Sequence, residues 1–257
     1  MKKTIIIFSI IALILCSISF IYDAVASSSN GFEAWGFKKE AGVAPLIEDS
    51  AKSMLGSTNS FYIGDQTQKT LYLTFDCGYE LGYTPKILDT LKSENVTAAF
   101  FVTGHFVDKN PDLIRRMDEQ GDIIGNHTVN HIVMPSSSDE KITQEIKGLS
   151  DKVNEALGKN YDMKYLRPPK GEYSLHSLQL TQSLGIRTVF WSSAYVDWTD
   201  NHKGDLDYSF NAITSQFHNG SVILLHNTSQ NNADVLERVI EDAKAKGFEF
   251  GSLDEIE

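Results

Sequence analysis

The stretch that most constrains the fold is Leu71–Glu80, LYLTFDCGYE. Leu71, Leu73 and Phe75 alternate with Tyr72 and Thr74 among β-favouring residues, the pattern of a strand with one face in a core. The run stops at Asp76-Cys77-Gly78. An acid at the C-terminal end of a buried strand, followed by glycine, is where barrels and open α/β sheets place their chemistry. The plainer reading of the same residues is a turn cap for Asp76 and a small packed thiol for Cys77.

From residue 70 onward, strand and helix patterns alternate. Strands are expected near 70–76, 97–103, 122–126, 164–167, 186–192, 221–226 and 247–251, and helices near 84–94, 111–120, 139–158, 175–184, 207–218 and 232–246. Pro85 and Pro111 sit near helix starts, where proline is tolerated, and Gly121, Gly185 and Gly247 follow helical stretches. Strands alternating with helices give an α/β fold with a parallel sheet, open or closed into a barrel, over residues 65–257. Residues 27–64 read as an extension, with Trp35 and Phe37 as anchors and a short helix around Ile47–Leu55. Ahead of it, Lys2 and Lys3 precede an apolar run from Thr4 to Tyr22 and then Ala24-Val25-Ala26. That order marks residues 1–26 as a secretory signal, cleaved after Ala26, or as a tether to the membrane if it is retained. Both versions export the rest across the cytoplasmic membrane, to the cell wall or beyond. Cys77 is then the one cysteine outside this segment, and in an oxidising compartment a lone thiol is buried, bound or used. A net charge of −11, with no basic tract after Lys3, argues against nucleic acid as a partner.

Four further constellations follow strands. In Asn126-His127-Thr128-Val129-Asn130-His131, histidines four apart on a helical turn would grip one metal ion. In Arg167-Pro168-Pro169-Lys170-Gly171, two prolines stiffen a loop that can hold an arginine against a carboxylate, or merely connect two elements. Asp197-Trp198 follows the fifth strand and Leu224-Leu225-His226 ends the sixth. A histidine there is a buried polar plug, or, with an aspartate to orient it, a general acid.

Taken in order, TFDCG (74–78), HTVNH (127–131), RPPKG (167–171), DW (197–198) and LLH (224–226) resemble the motifs of the polysaccharide deacetylases, the family 4 carbohydrate esterases. The resemblance covers about residues 65–257. The flanking text, TFDCGYELGYTPKILDTL, FFVTGHF, GDIIGNH, YLRPPKGEYS and TVFWSSAYVDW, is similar to the delta-lactam-biosynthetic de-N-acetylases of endospore formers. It implies a distorted (β/α) barrel of about seven parallel strands. It also implies removal of acetate from N-acetylmuramic acid in peptidoglycan, leading to muramic δ-lactam in the spore cortex.

By the same resemblance Asp76 is the catalytic base, Arg167 holds it, and His226, oriented by Asp197, is the acid. His127 and His131 are metal ligands. The Lys170 amide faces the oxyanion, and Trp198 and Leu225 form the slot for the acetyl methyl. The family pattern has a second aspartate, a metal ligand, where this chain has Cys77. A thiolate there would complete a Cys-His-His zinc site and disfavour harder cations, whereas a packed thiol would leave the metal to the histidines. Two other readings are an N-acetylglucosamine or chitin-type deacetylase, and a non-catalytic glycan-binding spore-envelope protein.

Overall fold

The computed structural model describes residues 31–39 and 41–257, and the expected signal or tether over 1–26 lies outside the described residues. In chain order the elements are β1 (Glu33–Ala34), α1 (Asp49–Ser57), β2 (Thr70–Cys77), α2 (Thr84–Glu94), β3 (Ala99–Val102), α3 (Gly104–Lys109), α4 (Pro111–Gln120) and β4 (Ile123–Asn126). There follow α5 (Asp139–Leu157), β5 (Tyr165–Leu166), β6 (Glu172–Tyr173), α6 (Leu175–Ser183), β7 (Arg187–Thr188) and β8 (Ser193–Ala194). The last are α7 (Leu206–Thr214), β9 (Ser221–His226), α8 (Gln230–Ala245) and β10 (Glu249–Phe250).

The main sheet runs β7-β5-β4-β3-β2-β9-β8, with β10 also beside β2, and every pairing in it is parallel. The two ends of that order, β7 and β8, lie on one extended segment. Val189 N donates to Leu166 O at 2.8 Å, and three residues on Ser192 N donates to Val222 O at 2.9 Å. The segment thus leaves β5 and joins β9, and the sheet curls on itself into the expected distorted barrel. Of the strand expected over 186–192 only Arg187–Thr188 forms as β7; the chain then changes partner and forms β8 just beyond, at Ser193–Ala194.

Alternation along the strands sorts side chains into two layers. Leu71, Leu73, Phe75 and Cys77 face outward and join Ile223 and Leu225 in a core covered by residues of α2, α4, α5 and α8. Phe75 and Phe100 are fully buried and stack with centroids 5.2 Å apart. Burial of each such ring stabilises the fold by roughly 1.5–3 kcal/mol. The alternate residues face the barrel interior, where Tyr72, Phe101, Val222 and Leu253 belong to an apolar cluster. Toward the C-terminal ends of the strands the interior turns polar, with Thr74, Asp76 and Arg167 all buried.

α3 has no counterpart among the expected elements, since six residues are too few to show a helical period. The helix expected over 207–218 stops at Thr214. In the extension, β1 pairs antiparallel with β6, and Trp35 stacks on Phe190 with centroids 4.4 Å apart. Among the described residues no helix is long and apolar enough to cross a membrane.

Candidate active site

Asp76, one residue before the end of β2, points into the barrel from the interior face. Its Oδ1 accepts from Arg167 Nη1 at 2.8 Å. Arg167 is fully buried and further committed: it donates to Thr74 Oγ1 at 2.9 Å and to the carbonyls of Val189 and Phe190, over the Phe101 ring. Burial opposes charge on Asp76, but the Arg167 guanidinium, with His127 and His226 nearby, outweighs it and holds the carboxyl below its usual value. The carboxylate is thus kept ionised, with Arg167 on Oδ1 and with Oδ2 3.6 Å from His127 Nε2.

Opposite it, His226 closes β9 in register with Asp76. Its Nδ1 bonds Asp197 Oδ1 at 2.7 Å, and its backbone N–H donates to Asp197 Oδ2 at 2.8 Å. Asn232, from the first turn of α8, donates to the same Oδ2 at 2.6 Å. Burial disfavours protonation of His226, yet the Asp197 hydrogen bond and charge more than offset this and raise its pKa. His226 is therefore suited to carry a proton that Asp76 is not.

The same cavity is lined by His127 and His131, ring centroids 4.9 Å apart. They do not sit on a helical turn as the spacing suggests. The segment is a loop in which Thr128 (φ 61°) and His131 (φ 52°) are left-handed, at a cost of about 1–2 kcal/mol per residue. Buried Glu145 of α5 offsets this strain by accepting from Asn130 N and Asn130 Nδ2, each at 2.7 Å. His127 Nδ1 bonds Arg167 O at 2.8 Å, which leaves Nε2 facing Asp76 Oδ2 at 3.6 Å. Burial lowers the pKa of His127 to about 4 and also lowers that of His131, so both rings are neutral near pH 7. Two neutral imidazoles, one with its second nitrogen fixed by a carbonyl, beside an ionised carboxylate, fit a divalent metal ion.

Cys77 and Leu225 depart from expectation for one shared reason. Cys77 follows Asp76 on the strand, so its side chain turns to the outer face, fully buried in the apolar core, where burial raises the thiol pKa well above its ordinary value. The structure thus corrects Cys77 from metal ligand to core residue. Leu225 is likewise turned into that outer core, and its neighbour Leu224 takes its place at the site.

Leu224 joins Lys170, Gly171, Trp191 and Trp198 around a cavity of about 350 Å³ that shares Asp76, His127, His131 and His226 with a larger one of about 580 Å³. Trp198 is 60% exposed on its rim, with its ring edge-on to His226. Lys170 holds a left-handed conformation (φ 59°) beside Gly171, where an added Cβ would lie 2.8 Å from the Trp191 ring and 2.9 Å from Trp35 Cβ. Only glycine lets the loop approach both tryptophans this closely. Glu145 and Asn232 lie outside the motifs, and Trp191 lies only in the flanking text. Thr74 and Leu224 fall inside TFDCG and LLH and share the strand parity of Asp76 and His226.

Residues 63–189 match the family model described as polysaccharide deacetylase. The chain is 43% identical over 225 residues to the peptidoglycan-N-acetylmuramic acid deacetylase PdaA of Bacillus subtilis, covering 86% of this chain and 84% of the relative. It is 34% identical over 197 residues to a peptidoglycan-N-acetylglucosamine deacetylase of Bacillus cereus, covering 75% and 70%. The solved structure of Bacillus subtilis PdaA, a family 4 carbohydrate esterase, superposes with a TM-score of 0.85 at 42% identity, over 88% of this chain and 97% of that one.

Proposed function

This chain belongs to the polysaccharide deacetylases, the family 4 carbohydrate esterases, and on that premise we propose that it hydrolyses the acetamide of N-acetylmuramic acid in peptidoglycan glycan strands. The observation that carries the reading is the presence in one cavity of Asp76, held by Arg167, and His226, held by Asp197. An amide needs both: a base to take the proton of the attacking water, and an acid to give one to the departing nitrogen.

Asp76 Oδ2 accepts the proton of the water as its oxygen attacks the acetyl carbon. His226, fixed by Asp197 at Nδ1, presents Nε2–H to the sugar nitrogen, and the C–N bond breaks to leave acetate and a free amine. The Lys170 N–H is the proposed donor to the developing oxyanion, since Lys170 borders the cavity. Trp198, Trp191 and Leu224 give the acetyl methyl an apolar wall. His127 and His131, with Asp76 beside them, would hold a divalent cation, which when bound polarises the carbonyl and eases ionisation of water. The preference for zinc over harder cations rests on a thiolate; with Cys77 in the core, imidazole donors remain, which suit zinc among other transition metals.

The reading extends to export by residues 1–26, to the cell wall or spore cortex as the place of action, and to muramic δ-lactam as the final product. The Lys2-Lys3 start, the apolar run and the Ala24-Val25-Ala26 end support export. The N-acetylmuramic acid substrate of the 43% identical relative supports the lactam, because a freed amine there lies beside the lactyl carboxyl. Mass spectrometry of amidase-treated peptidoglycan incubated with the protein tests this. Loss of acetyl groups from muramic acid residues is the expected result. Loss confined to N-acetylglucosamine residues would instead align the chain with its 34% identical relative.

A further inference from the structure

The two cavities meet over Asp76, His127, His131 and His226, so the reacting amide sits on their shared floor. The smaller one receives the acetyl group, and the larger, about 580 Å³, is where a polymer must continue. Its wall holds two rings that the chemistry above does not use. Tyr79 is 63% exposed, and its ring centroid lies 4.8 Å from that of exposed His105.

Both rings ride on fastened backbone. Fully buried Asn227, directly after His226, donates from Nδ2 to Tyr79 O at 2.8 Å. Thr103 Oγ1 donates to Gly78 O at 3.1 Å and accepts from Phe106 N at 3.4 Å, so one hydroxyl ties the Tyr79 loop to the start of α3, which carries His105. A ring whose backbone is already fastened loses less freedom on binding than one on a loose loop, which is how preorganisation favours affinity. Asp108 and Asn130 border the same cavity and offer polar atoms to hydroxyls.

Resting on the deacetylase reading, the geometry points to Tyr79 and His105 as a platform for the pyranose ring next to the reacting sugar, its C–H face packed on the aromatic wall. The platform sets affinity for the strand and takes no part in proton transfer. The test is steady-state acetate release from amidase-treated glycan strands by wild type, Tyr79→Ala, His105→Ala and Tyr79→Phe. Tyr79→Ala raises KM about tenfold, equivalent to about 1.4 kcal/mol, with kcat within about twofold. His105→Ala raises KM in the same sense, and Tyr79→Phe keeps the wild-type KM because the ring face, not the hydroxyl, makes the contact. An unchanged KM in Tyr79→Ala, or a fall in kcat alone, overturns the platform. Wild type releasing no acetate at all would overturn the deacetylase reading, and the platform with it.

Discussion

In the proposed mechanism Asp197 makes His226 an acid. Its carboxylate meets both the imidazole Nδ1 and the backbone N–H of the same residue, and Asn232 braces it from behind. Burial alone would push the His226 pKa below its ordinary value of 6.5, and the Asp197 contacts reverse that. An acid must be protonated to act, so kcat/KM falls as pH rises through a pKa above 6.5. In Asp197→Asn the raising contacts weaken while the burial stays, so this alkaline limb moves to lower pH. A pH–rate profile of the two proteins checks the sign. Cys77 yields the opposite kind of prediction. Its sulfur packs in the outer core, so Cys77→Ser should carry the same metal content as wild type by elemental analysis. A hydroxyl in that core costs stability, about 1–3 kcal/mol, measurable by denaturant unfolding.

At the scale of elements, the RPPKG loop is held by Trp35, just after β1. Trp35 N donates to Gly171 O at 2.8 Å, its indole N–H donates to Trp191 O at 3.0 Å, and its ring stacks on Phe190. Trp35→Ala should destabilise the fold by about 3–5 kcal/mol, as loss of a large packed ring does. It should also loosen the wall formed by Trp191, seen as a raised KM in the fraction that stays folded. The sequence pattern shows Trp35 as an anchor but not what it anchors, because β1 and β6 are two-residue pieces with no period of their own. Most longer elements are legible from apolar period and from proline and glycine at their ends. The two-histidine loop is not: its geometry comes from left-handed Thr128 and His131 clamped by Glu145, a contact fifteen residues away in sequence. Cys77 and Leu225 are open to a correct reading. The alternation that marks Leu71, Leu73 and Phe75 as core continues to Cys77, and the parity that turns His226 to the site turns Leu225 away.

At the scale of the molecule, closure of the barrel and assembly of the site are one event. Arg167 reaches from the end of β5 to Thr74 and Asp76 on β2 and to the carbonyls of Val189 and Phe190 on the segment that closes the ring. The apolar plug at one end of the interior leaves the other to these polar groups, of which Asp76 lines the cavities at the strands' C-terminal ends. The account stands on acid–base division between Asp76 and His226. His226→Ala tests it most directly, since it leaves the buried Asp76–Arg167 pair untouched and Asp197 still bonded to the residue 226 backbone and Asn232. The measurement is the initial rate of acetate release from amidase-treated glycan strands by wild type and His226→Ala at equal folded concentration. The account predicts a fall of about 10²–10⁴-fold, the usual contribution of a general acid. A variant that works at near the wild-type rate would contradict it.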